Sequence, residues 1–182
     1  MVSSRAGLAL SLVVIAAGVA CADAENATTV PNDFMQGMDA PVVYGMTSYI
    51  TTEGVRQARV EADTAFTFAD SAKIDLRVMT VYFYDEAGAE RATVRGTRGE
   101  WNQETDLMVA RGDVELLVYA DSSVLRSQEI HYDPQTDRIW SDSATSRSYA
   151  DGSVTSGSSF ESDIEFTNIR IRDMRGDAGR IF

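Results

Sequence analysis

The stretch MVARGDVELLVYADSSVLRSQEIHYD, Met108 to Asp133, decides the fold class of this chain. Val114, Leu116 and Val118 fall on one face of a period-two strand, with Asp113, Glu115, Leu117 and Tyr119 on the other. That is the pattern of a half-buried antiparallel strand. Gly112-Asp113 before it and ADSS at 120–123 after it are turn chemistry. The next run, Ser127 to Asp133, turns Ile130 and Tyr132 inward and His131 outward, and stops at Pro134, which has no N–H for a ladder. The stretch is part of a β-meander with one oily face.

The pattern recurs. WNQETD at 101–106 followed by LMVA matches YDPQTD at 132–137 followed by RIWS, at an offset of 31 residues. In each an aromatic ends a strand, a polar turn follows, and alternate apolar positions resume. Repeated strand-turn-strand units stack so that neighbours complete a core that none could bury alone.

Outward from this centre the chain reads as strands, apart from a possible short helix around Thr64 to Ser71. Tyr44, Met46, Tyr49 and Ile50 open the first strand region, Gly54 supplies a bend, and Val55 to Ala62 continues as a second strand that includes Val60. In Leu76 to Asp85, Met79, Val81 and Phe83 share one face and Val78, Thr80, Tyr82 and Tyr84 the other. A strand apolar on both faces is central or covered by a partner. Asp151-Gly152 marks a hairpin between Ala144–Tyr149 and Ser153–Ser158. Ile164 and Phe166 share a face while Ile169 and Ile171 have switched phase, which predicts a bulge near Thr167-Asn168. Arg170, Arg172, Asp173 and Arg175 are charges of the kind that protect a sheet edge. The segment from Gly176 has no period and reads as a loose tail.

Composition narrows the function. The 182 residues carry 28 acids against 16 Lys and Arg, a formal charge of -12. Nucleic acid is thereby disfavoured as a partner, because phosphate binding needs a basic footprint. His131 is the only histidine, so no base stands ready for a catalytic triad. The pairs Glu61/Asp63 and Glu161/Asp163 lie at period-two spacing, but such pairs arise freely among 28 acids. No phosphate loop, EF-hand or zinc spacing is present. The chain reads as a non-enzyme without metal or cofactor.

The front of the chain reads as targeting. Ala6 to Ala20 is uncharged and mostly apolar behind Arg5, short for a membrane span and right for a signal. GVAC at 18–21 is close to a lipobox, which makes Cys21 a lipidation candidate; the alternative is ordinary cleavage after Ala22 or Ala24. Cys21 is the only cysteine, so no intramolecular disulfide is possible. Ala22 to Ala40 is polar and acidic and reads as a tether with a reach on the order of 25 Å. Asn26-Ala-Thr28 fits a glycosylation sequon, read as coincidence.

Several runs, taken in order, resemble the LptC family, the periplasmic subunit of the lipopolysaccharide exporter. They are GVRQARV at 54–60, VYFYD at 81–85, ARGDV at 110–114, IHYD at 130–133, IWSD at 139–142, and Gly157 with Phe160, Ser162 and Asp163. The related bridge protein LptA shares much of this pattern. The resemblance covers roughly residues 42–176 and implies an all-β, open β-jellyroll folded like a taco, whose inner apolar groove holds the acyl chains of lipopolysaccharide. The groove residues implied are Val60, Ala62, Val81, Phe83, Met108, Val114, Leu116, Val118, Leu125, Ile130, Tyr132, Ile139, Phe160 and Ile164. It also implies partner edges. The Tyr44 to Val60 end, with Tyr44, Tyr49 and Val55, would face an inner-membrane LptBFG-type transporter. The Ile164 to Arg172 end, with Ile164, Phe166, Ile169 and Ile171, would meet an LptA-type periplasmic bridge. Many members carry a transmembrane helix where this chain has its lipobox, so a periplasmic domain held at the inner membrane by a lipid anchor is expected. The organisation is then 1–21 signal, 22–41 tether, 42–176 jellyroll and 177–182 tail. The competing reading is a scaffold β-sandwich lipoprotein that binds protein only.

Overall fold

The computed structural model describes residues 41–68 and 71–177. They form β1 (Val42–Thr52), β2 (Val55–Thr67), β3 (Lys73–Tyr84), β4 (Glu90–Asn102), β5 (Met108–Val118) and β6 (Ser123–Asp133). Six shorter strands follow: β7 (Arg138–Ser141), β8 (Thr145–Ser148), β9 (Val154–Gly157), β10 (Ser159–Asp163), β11 (Arg170–Arg172) and β12 (Arg175–Asp177). All belong to one sheet of order β1-β2-β3-β4-β5-β6-β7-β10-β11, with β8 beside β6 and β9, and β12 beside β9. β7 and β8 lie end to end along β6, and β10 with β9, then β11 with β12, repeat that arrangement outward. The twelve strands are therefore nine paths, the last three each broken once.

Those breaks continue a line that crosses the whole sheet. Inward residues run Ala58, Val60, Ala62 and then Ala65 on β2; Ile74, Leu76 and then Met79, Val81, Phe83 on β3; Met108, Ala110 and then Val114, Leu116, Val118 on β5. β2 and β3 each change parity once, whereas β5 carries one more residue across the same place, at Gly112-Asp113, and keeps its parity. The register omits Gly45 opposite Asp63, Asp63 opposite Val78, and Val78 opposite Thr97, and it slips between Arg111 and Val114. Gly45, Val78, Gly112 and Asp113 all have positive φ there, at 61°, 49°, 78° and 49°. Left-handed backbone at a β-branched residue such as Val78 costs roughly 1–3 kcal/mol and persists only where its surroundings dictate it. Here the neighbours dictate it, since β2 and β4 both switch parity beside Val78, and a β3 that ran straight between them would turn half its apolar residues to water. The crease passes through Gln128, the gap Asp142–Ala144, Ser158 and Asp173.

Folded about this crease, the sheet brings opposite corners together. Phe83, near the end of β3, meets Tyr132, near the opposite end of β6, edge to face with ring centroids 4.9 Å apart. Phe166 closes on Phe83 from the β10–β11 loop at 5.5 Å. The interior is a continuous apolar cluster that also holds Ile50, Trp101, Ala92, Val94 and Ile139.

The repeat at 101–106 and 132–137 is structural. Trp101 and Tyr132 are buried at the strand ends, Asp106 and Asp137 share left-handed backbone at φ 57° and 50°, and the amide of Gln135 donates to the Thr105 carbonyl at 3.3 Å. The Asp151-Gly152 hairpin stands where expected, with Gly152 at φ 84°.

Three expectations are corrected. Thr64–Thr67 is strand and not the start of a helix: β2 runs on to Thr67, because Ala65 pairs with Leu76 and Thr67 with Ile74 across the ladder. The segment 164–169 is a loop and not a bulged strand; the Asp163 carboxylate accepts from Thr167 N, Thr167 Oγ1 and Asn168 Nδ2 at 2.7–2.9 Å, and the change of phase at Ile169 is a reversal of chain direction. The tail is not loose from its start, since Gly176 and Asp177 pair with Thr155 and Val154. The signal, Cys21, the sequon and the tether up to Ala40 lie outside the described residues.

Candidate functional site

The inner face is built from transverse rows. Val60, Val81, Val94, Leu116 and Leu125 stand opposite one another across β2 to β6, an unbroken aliphatic row. On the other side of the crease Ile74, Trp101, Met108, Tyr132, Ile139 and Ser162 form a second row, from β3 to β10. The residues expected in the groove are all on this face. Every one except Ile164 is at most 5% exposed, and Ile164 is partly buried against the cluster.

The face is filled by its own side chains. Leu116, Leu125 and Ile139 are at 0% exposure, and Gly99 leaves room for Met79, whose sulfur occupies the place where a Cβ would stand. Burial of each such side chain stabilises the fold by about 1.5–3 kcal/mol. The walls differ in chemistry. β2 to β5 present apolar groups, whereas β6 to β10 interleave Ser123, Ser127, Ser141, Thr145 and Ser162, all buried. Ser127 and Ser141 share a hydrogen bond of 2.8 Å, and Ser123 accepts from Arg147 Nε at 2.9 Å. Ser162 Oγ has no partner.

Arg147 lies beside Leu125, where the aliphatic row ends, with its guanidinium 2.7 Å from Asp121. Partial burial pushes the Asp121 carboxyl up, but hydrogen bonds from Ser123 and the guanidinium of Arg147 outweigh it and hold it below the usual range. Tyr132 is shifted the other way: burial, together with Asp137, Asp106 and Asp133, pushes its hydroxyl well above the ordinary value, so it stays neutral. That hydroxyl reaches Gln57 Oε1 at 3.5 Å, the limit of a hydrogen bond.

Where the corners meet there is a cleft of about 490 Å³, lined by Glu53, Arg56 and Gln57 from one side and Asp137, Asp163 and Ile164 from the other. Its lining also includes Tyr84 and Glu165, the chain neighbours of Phe83 and Phe166, and Gln57 is the residue that the Tyr132 hydroxyl reaches.

The outer face resolves how β3 is apolar on both sides. Arg59 lies over Tyr82 at 4.1 Å, and Arg56 over Tyr49 and Tyr84 at 4.4 and 5.8 Å, so guanidinium groups cover the outward rings. His131 stacks on Trp140 at 5.1 Å with Glu129 3.2 Å from its Nε2, an outward arrangement as expected. Of the two acid pairs, Glu61 and Glu161 are paired with Arg59 and Arg138, and Asp163 holds its loop. Among the described residues no cluster of His, Cys, Asp and Glu could hold a metal ion, and no helix is long and apolar enough to cross a membrane.

The edges are unlike. β1 pairs only with β2, has no charged residue in its 11 positions, and exposes Tyr44 (78%) and Tyr49 (50%). Val55, at the start of β2, is exposed beside it. The opposite edge, β11 and β12, carries Arg170, Arg172 and Arg175. Of the residues expected there, Ile169 and Ile171 pack half-buried against the core and Phe166 is an interior residue at 6% exposure. Gly157 faces this edge: a Cβ on it would collide with the Arg172 carbonyl and with Ile171, so glycine lets β11 lie close. The sequence reading missed Ile74, Leu76, Trp101 and Val94 as site residues, although apolar positions 74, 76, 79, 81 and 83 already contain the change of parity.

A family model described as lipopolysaccharide-assembly, LptC-related, matches residues 9–172. Among solved structures, the fold is similar to that of LptH, the LptA homologous periplasmic component of the conserved lipopolysaccharide transport device from Pseudomonas aeruginosa. The TM-score is 0.52 at 13% identity, over 66% of this chain and 94% of that one. No curated protein sequence matches.

Proposed function

The chain belongs to the LptC-related family of lipopolysaccharide-assembly proteins, and from that premise we propose that it carries lipopolysaccharide from an inner-membrane ABC transporter to an LptA-type periplasmic bridge. The family's members are periplasmic components of lipopolysaccharide transport and not enzymes, and this chain is one of them. In the proposed reading, acyl chains lie against the aliphatic row Val60, Val81, Val94, Leu116 and Leu125, with Phe83 and Tyr132 at the mouth and Phe160 deep on the second wall. The observation that carries it is this row, apolar across five adjacent strands of a sheet whose two edges have no partner strand among the described residues. The uncharged β1 edge takes the transporter and the arginine-bearing edge takes the bridge, each by strand addition. Cys21, lipidated, holds the domain at the inner membrane.

Photo-crosslinking in cells tests the reading. Probes at Phe83, Leu116 and Phe160 should join lipopolysaccharide, and probes at outward Glu115 and His131 should not. A second reading, a scaffold that binds protein only, draws on the close packing of the inner face. It expects no lipid adduct from any of the five positions in a folded protein.

A further inference from the structure

A filled interior poses a physical question for a carrier: which side chain leaves when an acyl chain enters. Residues on the strands are poorly suited, because moving Leu116 or Val81 inward or outward requires breaking the ladder on both sides. Phe166 differs. It is 6% exposed, as buried as the core, yet it sits in the loop between β10 and β11 and makes no strand pairing. Its ring packs on Phe83 at 5.5 Å and 72°, and Phe83 in turn packs on Tyr132, so it completes the aromatic cluster at the mouth.

The loop's hydrogen bonds are few: the Asp163 carboxylate accepts from Thr167 and Asn168 at exposed positions, and Phe166 N donates to the Asp163 carbonyl at 3.2 Å, while Ile164 and Ile169 at its two ends pack half-buried against the core and act as its hinges. Phe166 has left-handed backbone, φ 58°, an uncommon conformation for a bulky residue and one that release would relieve. The cleft of about 490 Å³ is lined in part by Asp163, Ile164 and Glu165 of this same stretch, and gives the loop room to move. A buried ring on an unpaired loop, left-handed backbone and an adjoining cleft thus coincide at Phe166.

We infer that Phe166 is a displaceable plug: in the empty protein its ring occupies the place at the mouth that an acyl chain takes, and the 164–169 loop swings it out when lipid enters. The inference rests on the carrier reading above and names the residue that regulates access to the same face. Its energetic content is a population shift. The plugged state is the ground state, and apparent affinity is lowered by the fraction of molecules that are unplugged. With an unplugged state populated at about a tenth or less, removing the ring tightens binding by about tenfold or more.

Deep-rough lipopolysaccharide titrated into the full chain, as wild type and as Phe166→Ala and Phe166→Leu, separates the possibilities. The expected result is lower melting temperature in Phe166→Ala, with tighter lipopolysaccharide binding, about tenfold or more; Phe166→Leu, which keeps most of the volume, should fall between. Equal or weaker binding by both folded variants, with the wild type still binding, overturns the plug and leaves the carrier reading standing. Failure of all three proteins to bind overturns the carrier reading and the plug with it. In the wild type, hydrogen exchange at the Phe166 and Thr167 amides should rise on adding lipopolysaccharide while strand amides slow; slowing at both amides also overturns the plug.

Discussion

Phe83 and Tyr132 sit near opposite ends of their strands, three ladders apart, and their rings meet edge to face at 4.9 Å. That contact records the closure of the sheet on itself more directly than any hydrogen bond does, because no ladder joins the two corners. Removing it tests the fold. Phe83→Ala should destabilise the domain by about 3–5 kcal/mol, the range for deleting a buried phenyl ring. Denaturant unfolding measures it, and a loss below about 1 kcal/mol would mean that the corners do not meet in solution.

Gly157 makes a sharper prediction. A Cβ there runs into backbone, not into a flexible chain end, so Gly157→Val forces β11 away from β9. Overpacking of this kind costs about 1–3 kcal/mol. The loss should be local, with faster hydrogen exchange in β9 to β12 and native protection in β2 to β5. Unchanged exchange throughout would refute the close approach.

The acid limb of stability follows from depressed carboxylates. In Asp163, partial burial raises the pKa, but the hydrogen bonds from Asn168 and Thr167 win and hold it low; Asp121 is held low beside Ser123 and Arg147, and Asp151 by Ser153. A folded pKa below the unfolded one adds stability that is fully present above the unfolded value and is lost as pH falls through the folded value. Thermal stability should therefore be flat above about pH 5 and fall progressively from about pH 4 downward. The 164–169 loop, tied by Asp163, should loosen within that window. Asp163→Asn, which keeps shape but not charge, should flatten part of the fall in a pH series of melting temperatures.

Exposure on β1 separates stability from docking. Tyr49→Glu changes a half-exposed side chain, removes the ring under Arg56 and should alter stability by no more than about 1 kcal/mol. If β1 is the edge that adds to the transporter, the same change should greatly reduce co-purification with the inner-membrane subunits. Undiminished co-purification from a folded variant would move the docking site elsewhere.

The crease predicts a line of weak protection. Amides at Val78 and Thr97 stand at positions the ladder skips, and should exchange faster than those of Val81 and Val94 a few residues along the same strands. Residue-resolved hydrogen exchange reads this directly.

Much of this architecture was legible before the structure, for a physical reason. Val114, Leu116 and Val118 betray their face because alternation is local, and the equivalence of Trp101 with Tyr132 is local as well. What stayed hidden depends on distant partners. Val78 is left-handed because both neighbouring strands change parity beside it, which no propensity at Val78 announces. The run Thr64–Ser71 was read as a possible helix, and the pairing of Ala65 with Leu76 overrode that. Phe166 was placed on an edge because the loop that carries it inward is held by Asp163, through contacts that alternation does not register.

The crease also governs which changes of chain length the molecule can absorb. An extra residue placed within a strand half would turn everything beyond it inside out, up to the next irregularity. The same residue placed at Thr97, Gly112 or Gln128 would only widen a discontinuity that already exists, and both halves would keep their apolar sides inward. Single insertions and deletions among proteins built on this plan should therefore gather along one line across the sheet, and that line is where the architecture is open to evolution without refolding.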